Sequence, residues 1–173
     1  MLRKVCVPSG LYALSCVAQN FGREVRNVSV FHSGELGVTS ASDTQTLPIF
    51  VHIINHQSND GSREIASLLW FGNRKYLRQW KWSDNTTGKW LHFNAVTCSE
   101  PGTDTEFEFF APIESKSLDN NCCPKNGGAF RVIMRYKGCQ FVRRHESFCV
   151  LVGNDPSKAS PFILEPRLSL QKL

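Results

Sequence analysis

The sequence predicts a single strand-rich α+β domain with one or two short helices, and three stretches carry that expectation. The first is a tryptophan window: all four tryptophans of the 173-residue chain fall at positions 70, 80, 82 and 90. Such a concentration of large apolar side chains marks a core. Trp70 follows Leu68-Leu69, as a strand entering a core would, and Trp80 and Trp82 flank Lys81 so that on a strand both rings share one face. Ser83-Asp84-Asn85 and Thr87-Gly88 supply turn chemistry before Trp90. The second stretch alternates Asp104, Glu106 and Glu108 with Thr105, Phe107 and Phe109, the pattern of a half-exposed strand. The third places Leu47, Phe50, Val51 and Ile54 at helical spacing, with Thr46 as a cap and Pro48 in the first turn. Residues 49–54 also make a fair strand, and periodicity alone leaves both readings open.

Length supports one domain, drawn here over residues 1–150, followed by a proline-containing C-terminal tail over 151–173 with Pro156, Pro161 and Pro166. The tail reads as extended chain lying on the domain or reaching a partner. No apolar run approaches the ~18–20 residues of a membrane span. A net charge of +5 favours acidic partners such as sulfated glycans, anionic lipid or nucleic acid.

Seven cysteines, Cys6, Cys16, Cys98, Cys122, Cys123, Cys139 and Cys149, point to disulfides in an oxidised, secreted or cell-surface protein. The odd count leaves at least one thiol unpaired or paired outside the chain. Two glycosylation sequons, at Asn27 and Asn85, fit the same compartment. The plainer alternative is an intracellular protein with buried free cysteines, which behave as small hydrophobes. Met1-Leu2-Arg3-Lys4 and the moderately apolar stretch to Ala18 are interrupted by Pro8, Ser9 and Gly10. They read as part of the fold, with any export signal outside the sequence.

Catalytic and metal chemistry find little support. His52 and His56 would share a helix face at zinc-like spacing, yet Ile53, Ile54 and Asn55 between them supply no glutamate base, and two polar-face histidines are the simpler reading. The vicinal Cys122-Cys123 pair belongs to no Cys-x-x-Cys or Cys-x-x-His element, and Cys–His catalysis is recognised by geometry that spacing does not supply. No enzyme activity, metal or cofactor is expected.

The order of these features resembles a C-type lectin-like domain over about residues 6–150. The carriers are Trp70-Phe71-Gly72, the Trp80-Lys81-Trp82 strand with its Asp84-Asn85 turn, and Trp90. Cys6-x-Pro-Ser-Gly with Cys16 is similar to the family's N-terminal hairpin, although Leu11 stands where a tryptophan is usual. Gly34-Glu35-Leu36 is similar to the turn and short strand between its two helices. Cys123, Cys139 and the Phe148-Cys149 ending follow its last three cysteines. The resemblance implies that Cys123 pairs with Cys139 and leaves Cys122 to pair with Cys98. It also implies a first-helix cysteine joined to the last one. Residues 23–33 contain none, so either Cys16 takes that role or Cys149 pairs elsewhere. The family's calcium ligands are mostly missing. Glu100-Pro101-Gly102 loses a ligand at Gly102, and Arg135-Tyr136-Lys137-Gly138 puts cations where carboxylates would be, so no calcium-dependent sugar site is expected.

Arg131, Arg135, Tyr136, Lys137, Arg143 and Arg144 form a basic ribbon interleaved with Phe130 and Phe141, the candidate ligand-binding residues for a sulfated glycan or for phosphates. A solvated strand face is the plainer alternative. The functional expectation is a non-catalytic recognition module, a receptor-like glycoprotein that presents loops from about Leu91 to Lys137 to a protein or anionic glycan without calcium. Two alternatives stand beside it. The Gly127-Gly128 turn and the arginine ribbon also resemble the last strands of an immunoglobulin-like DNA-binding domain, which implies an all-β sandwich. The prolines near the C-terminus and the basic N-terminus would suit a structural subunit of a large assembly, a virion or a mitochondrial complex.

Overall fold

The computed structural model describes residues 2–17, 25–30, 34–39, 48–72, 74–79, 89–92, 102–112, 128–145 and 147–167. Two strands occupy the segments where helices were expected. The segment of the first helix holds β2 (Val25–Val30), and the Phe50-Val51-Ile54 segment is β4 (Phe50–Gln57). The expected α+β class is therefore corrected to all-β: among the described residues the only helical turns are two three-residue 3-10 segments, Thr103–Thr105 and Pro156–Lys158. The physical reason is legible in β4. Val51 and Ile53 point inward and are fully buried while His52 and Ile54 are half-exposed, a period of two. The β-branched residues of this run favour that pleated surface.

β1 (Gly10–Val17) is the trunk of the sheet. One of its edges pairs with β4 through residues 10–13 and with β2 through residues 15–17; the other pairs with β13 (Phe162–Pro166). From that fork two closed circuits arise. One runs through β4, β5 (Glu64–Trp70), β9 (Phe107–Phe110), β10 (Phe130–Tyr136) and β13 back to β1. The other runs through β2, β3 (Leu36–Val38), β12 (Phe148–Val152), β11 (Gln140–His145), β10 and β13. Every pairing among the described strands is antiparallel. Closure leaves few free sheet edges, which in open sheets are sites of unwanted association. Short strands β6 (Lys75–Tyr76), β7 (Arg78–Gln79) and β8 (Lys89–His92) complete the list.

The proline-containing segment after residue 150 is not peripheral. It contains β13, whose Phe162 and Leu164 are fully buried and which joins β1 to β10. The main core contains Tyr12, Leu14 and Cys16 of β1, Val51 and Ile53 of β4, and Leu68 of β5. A smaller cluster of Phe110, Ile133, Phe141 and Ala159 lies apart from it. Of the tryptophan window, Trp70 packs half-buried on the main core and Trp90 lies in β8; Trp80 and Trp82 fall outside the described residues. So do Cys98, Cys122, Cys123 and Asn85, whereas Asn27 lies half-exposed on β2.

Candidate functional site

Two tight turns bring distant charges together. In the β4–β5 connection the Asp60 carboxylate accepts hydrogen bonds from Ser58 Oγ (2.6 Å), Ser62 N (3.0 Å) and Ser62 Oγ (2.6 Å), with Gly61 at φ 71°. Those bonds hold the Asp60 carboxyl well below the usual range. The turn delivers Arg63 over the β10–β11 loop, where Lys137 (φ 54°) and Gly138 (φ 72°) take left-handed conformations. There is no room for more: a Cβ on Gly138 would sit 2.5 Å from Arg63 Nη1.

Arg63 is one of three cations around Glu108. Its Nη1 donates to Glu108 Oε1 at 2.9 Å, Arg135 Nη2 donates to the same oxygen at 3.2 Å, and Lys4 Nζ stands 3.6 Å from Oε2. Arg63 Nη2 also reaches Glu106 Oε2 at 3.4 Å. The Glu108 side chain is only 5% exposed, a position where an uncompensated carboxylate would be costly. The half-exposed strand expected over residues 104–109 is thus realised differently. A 3-10 turn takes residues 103–105, and Glu106 and Glu108 are buried along with the alternating Phe107 and Phe109.

This cluster also fixes where the basic ribbon can act. Arg135 is committed to Glu108 and its guanidinium lies 4.6 Å from the Phe110 ring centroid. Tyr136 is a core residue: its hydroxyl donates to Asp104 O at 2.5 Å and accepts from Gln79 N at 3.0 Å. Burial pushes its phenol up to about 12. Arg144 is half-buried, and its pairing opposite Cys149 places both on one face of the β11–β12 ladder. Arg131, Lys137 and Arg143 remain exposed, and among the described residues none has an ion-pair partner. The ribbon's aromatic members Phe130 and Phe141 are buried with Tyr136.

A cavity of about 310 Å³ opens where β5 and β9 meet through the single pair Ala66 and Phe107 and then part. The N-terminal segment crosses this gap. Val5 N donates to Phe109 O (2.9 Å), Asn55 Nδ2 to Val7 O (2.8 Å) and Lys4 Nζ to Glu64 O (2.5 Å). Cys6 and His56 both line the cavity, a pairing that invites a nucleophilic reading. The geometry argues against it. His56 Nε2 lies 2.8 Å from Ser67 Oγ and Nδ1 3.3 Å from Gln57 O, so both ring nitrogens are occupied. Ser67 is itself fully buried and bonded near Thr105, beyond reach of a substrate.

His52 and His56, on a strand and not a helix, are separated by four residues of ~3.3 Å rise each, roughly 13 Å, too far to share a metal. Among the described residues no three His, Cys, Asp or Glu side chains gather to hold a metal ion, and no helix is long and apolar enough to cross a membrane. No protein-family model matches this chain, and no curated protein gives a significant match to it.

Proposed function

We propose that the chain is a non-catalytic recognition module of a secreted or cell-surface protein and that it binds a sulfated glycan, without calcium, through Arg131, Lys137 and Arg143. One observation carries the reading. Lys4, Arg63, Arg78 and Arg135 are paired with carboxylates, whereas these three cations face solvent with no carboxylate within ion-pair distance among the described residues. Cations left unpaired on a chain of net charge +5 attract a polyanion and release its counterions on binding. The buried rings of Phe130, Tyr136 and Phe141 favour a ligand read by charge over one whose bases must stack.

The test is retention on immobilised heparin against salt. The triple variant R131A/K137A/R143A should elute at lower salt than the parent while melting within a few degrees of it, and a calcium chelator should leave the parent's elution unchanged. Equal elution of parent and variant would exclude this face. Preference for duplex DNA over heparin at matched salt would move the reading to a nucleic acid.

A further inference from the structure

The cations of the ribbon share one side of the sheet. Arg131 stands opposite Ile163, Arg135 opposite Phe141 and Arg143 opposite Val150. Cross-strand partners share a face, and so do residues two apart on one strand. Arg131, Ile133 and Arg135 of β10 therefore lie on the same outward side as Phe141 and Arg143 of β11, while Val132, Met134, Val142 and Cys149 turn into the main core. That outward side carries the smaller apolar cluster of Phe110, Ile133, Phe141 and Ala159. Ala159 reaches it directly from the second 3-10 turn, Pro156–Lys158.

Ser160 fixes this turn beside Arg143. Its N donates to Val142 O at 3.0 Å and its Oγ accepts from Arg144 N at 2.8 Å, so it is bonded to both chain neighbours of Arg143. Lys158 lies two residues upstream, at most about 7 Å of chain from that anchor. It is exposed, and among the described residues no carboxylate stands within ion-pair distance of it. The one acid of the segment 153–161, Asp155, is turned back on its own turn, where its Oδ1 accepts from Ser157 N at 3.0 Å and Ser157 Oγ at 2.7 Å. Ala159 and Ser160 are buried, so the backbone that carries Lys158 is already ordered and binding need not order it.

We propose that Lys158 is a fourth cation of the anion-binding face, acting beside Arg143, and that the second 3-10 turn belongs to the ligand site. The inference rests on the sulfated-glycan reading above. A lysine ammonium on a flexible stem is a point charge that needs no fixed fork of acceptors, which suits anionic groups of varied spacing along a polymer. No sequence pattern joins Lys158 to the ribbon, because fourteen positions separate it from Arg144 and only the Ser160 bonds bring the turn back.

The test is the affinity of the whole chain for heparin over a series of salt concentrations. Lys158→Gln should reduce the slope of log affinity against log salt by about one, as loss of one polyanion contact does. Arg74→Gln removes the same charge from the exposed β5–β6 turn, on a hairpin outside the β10–β12 face, and should leave the slope at the parent's value. Asp155→Asn keeps a capping acceptor while removing the local acid, and should elute at higher salt than the parent. Two results would overturn this contact while leaving the glycan face standing, provided that R131A/K137A/R143A still elutes early: a Lys158→Gln slope equal to that of Arg74→Gln, or Asp155→Asn eluting no later than the parent. Equal elution of the triple variant and the parent would remove the face and this contact together.

Discussion

Replacing Glu108 by glutamine tests whether the buried carboxylate, and not the strands alone, holds the N-terminal segment, the β4–β5 turn and β10 together. Glutamine keeps the shape and one acceptor oxygen but removes the charge that three cations share. Hydrogen bonds to a charged group contribute about 1.5–3 kcal/mol each, and two such bonds meet Glu108 Oε1, at 2.9 and 3.2 Å. The Lys4 contact at 3.6 Å adds less. Against that sum stands solvent: the Arg63, Arg135 and Lys4 side chains are 36%, 20% and 39% exposed, so water takes up part of their released charge. A net loss of about 2 kcal/mol is expected from these opposing terms. For a chain of this size that is roughly 4–8 °C in melting temperature. Scanning calorimetry measures it, with Glu165→Gln as control, since the Glu165–Arg167 pair is exposed on both sides. A Glu108→Gln shift no larger than the control's would show that the charge cluster does not brace the fold.

Gly138→Ala should lose about 1–2 kcal/mol from its left-handed backbone alone. The added Cβ also displaces Arg63, so urea midpoints should show the alanine change and Glu108→Gln to be less than additive when combined. Tyr136→Phe leaves Gln79 N and Asp104 O without their shared hydroxyl and should cost about 1–3 kcal/mol in the same assay. The Tyr136 phenol is raised from 10.0 to about 12 and the Cys16 thiol from 9.0 to about 12. The folded state therefore holds these protons where the unfolded chain has lost them, so their stabilisation is full below pH 9 and falls between pH 9 and 12. Tyr136→Phe should flatten the upper part of that alkaline decline, and an unchanged slope would contradict the burial-driven shift.

How much of this was legible in the sequence differs from element to element. The Asp60-Gly61 turn rests on local chemistry, a carboxylate that caps its neighbours and a left-handed glycine, which an Asp-Gly pair carries by itself. The apolar content of β4 was readable, but its period was not: four apolar residues at helical spacing also contain the alternation Val51, Ile53. Tertiary pairing with β1 and β5 decided in favour of a strand. The Glu108 cluster joins residues 4, 63, 106, 108 and 135, and no local pattern announces such a meeting. Its one trace was the acid alternation around Phe107 and Phe109, which fits a solvated face equally well until both faces prove to be covered. β13 was hidden by its prolines. Pro161 precedes the strand and Pro166 is its last residue, so neither interrupts the buried stretch from Phe162 to Leu164.

The basic ribbon makes the same point about function. Six residues that a sequence can only group by sign and proximity divide in the fold by what lies opposite them. Glu108 opposes Arg135 across the β9–β10 register, while Tyr136 is drawn into the core beside Phe107, with ring centroids 5.1 Å apart. A neutralising substitution at Arg135 would therefore disturb Glu108 as well as any ligand, and weaker heparin retention in such a variant would say nothing about contact. Arg131 and Arg143 carry the cleaner information. They are exposed, and on their antiparallel ladders they stand opposite Ile163 and Val150, not opposite acids. Retention that follows those two positions while folding stays intact is the outcome that separates a binding face from a merely solvated one.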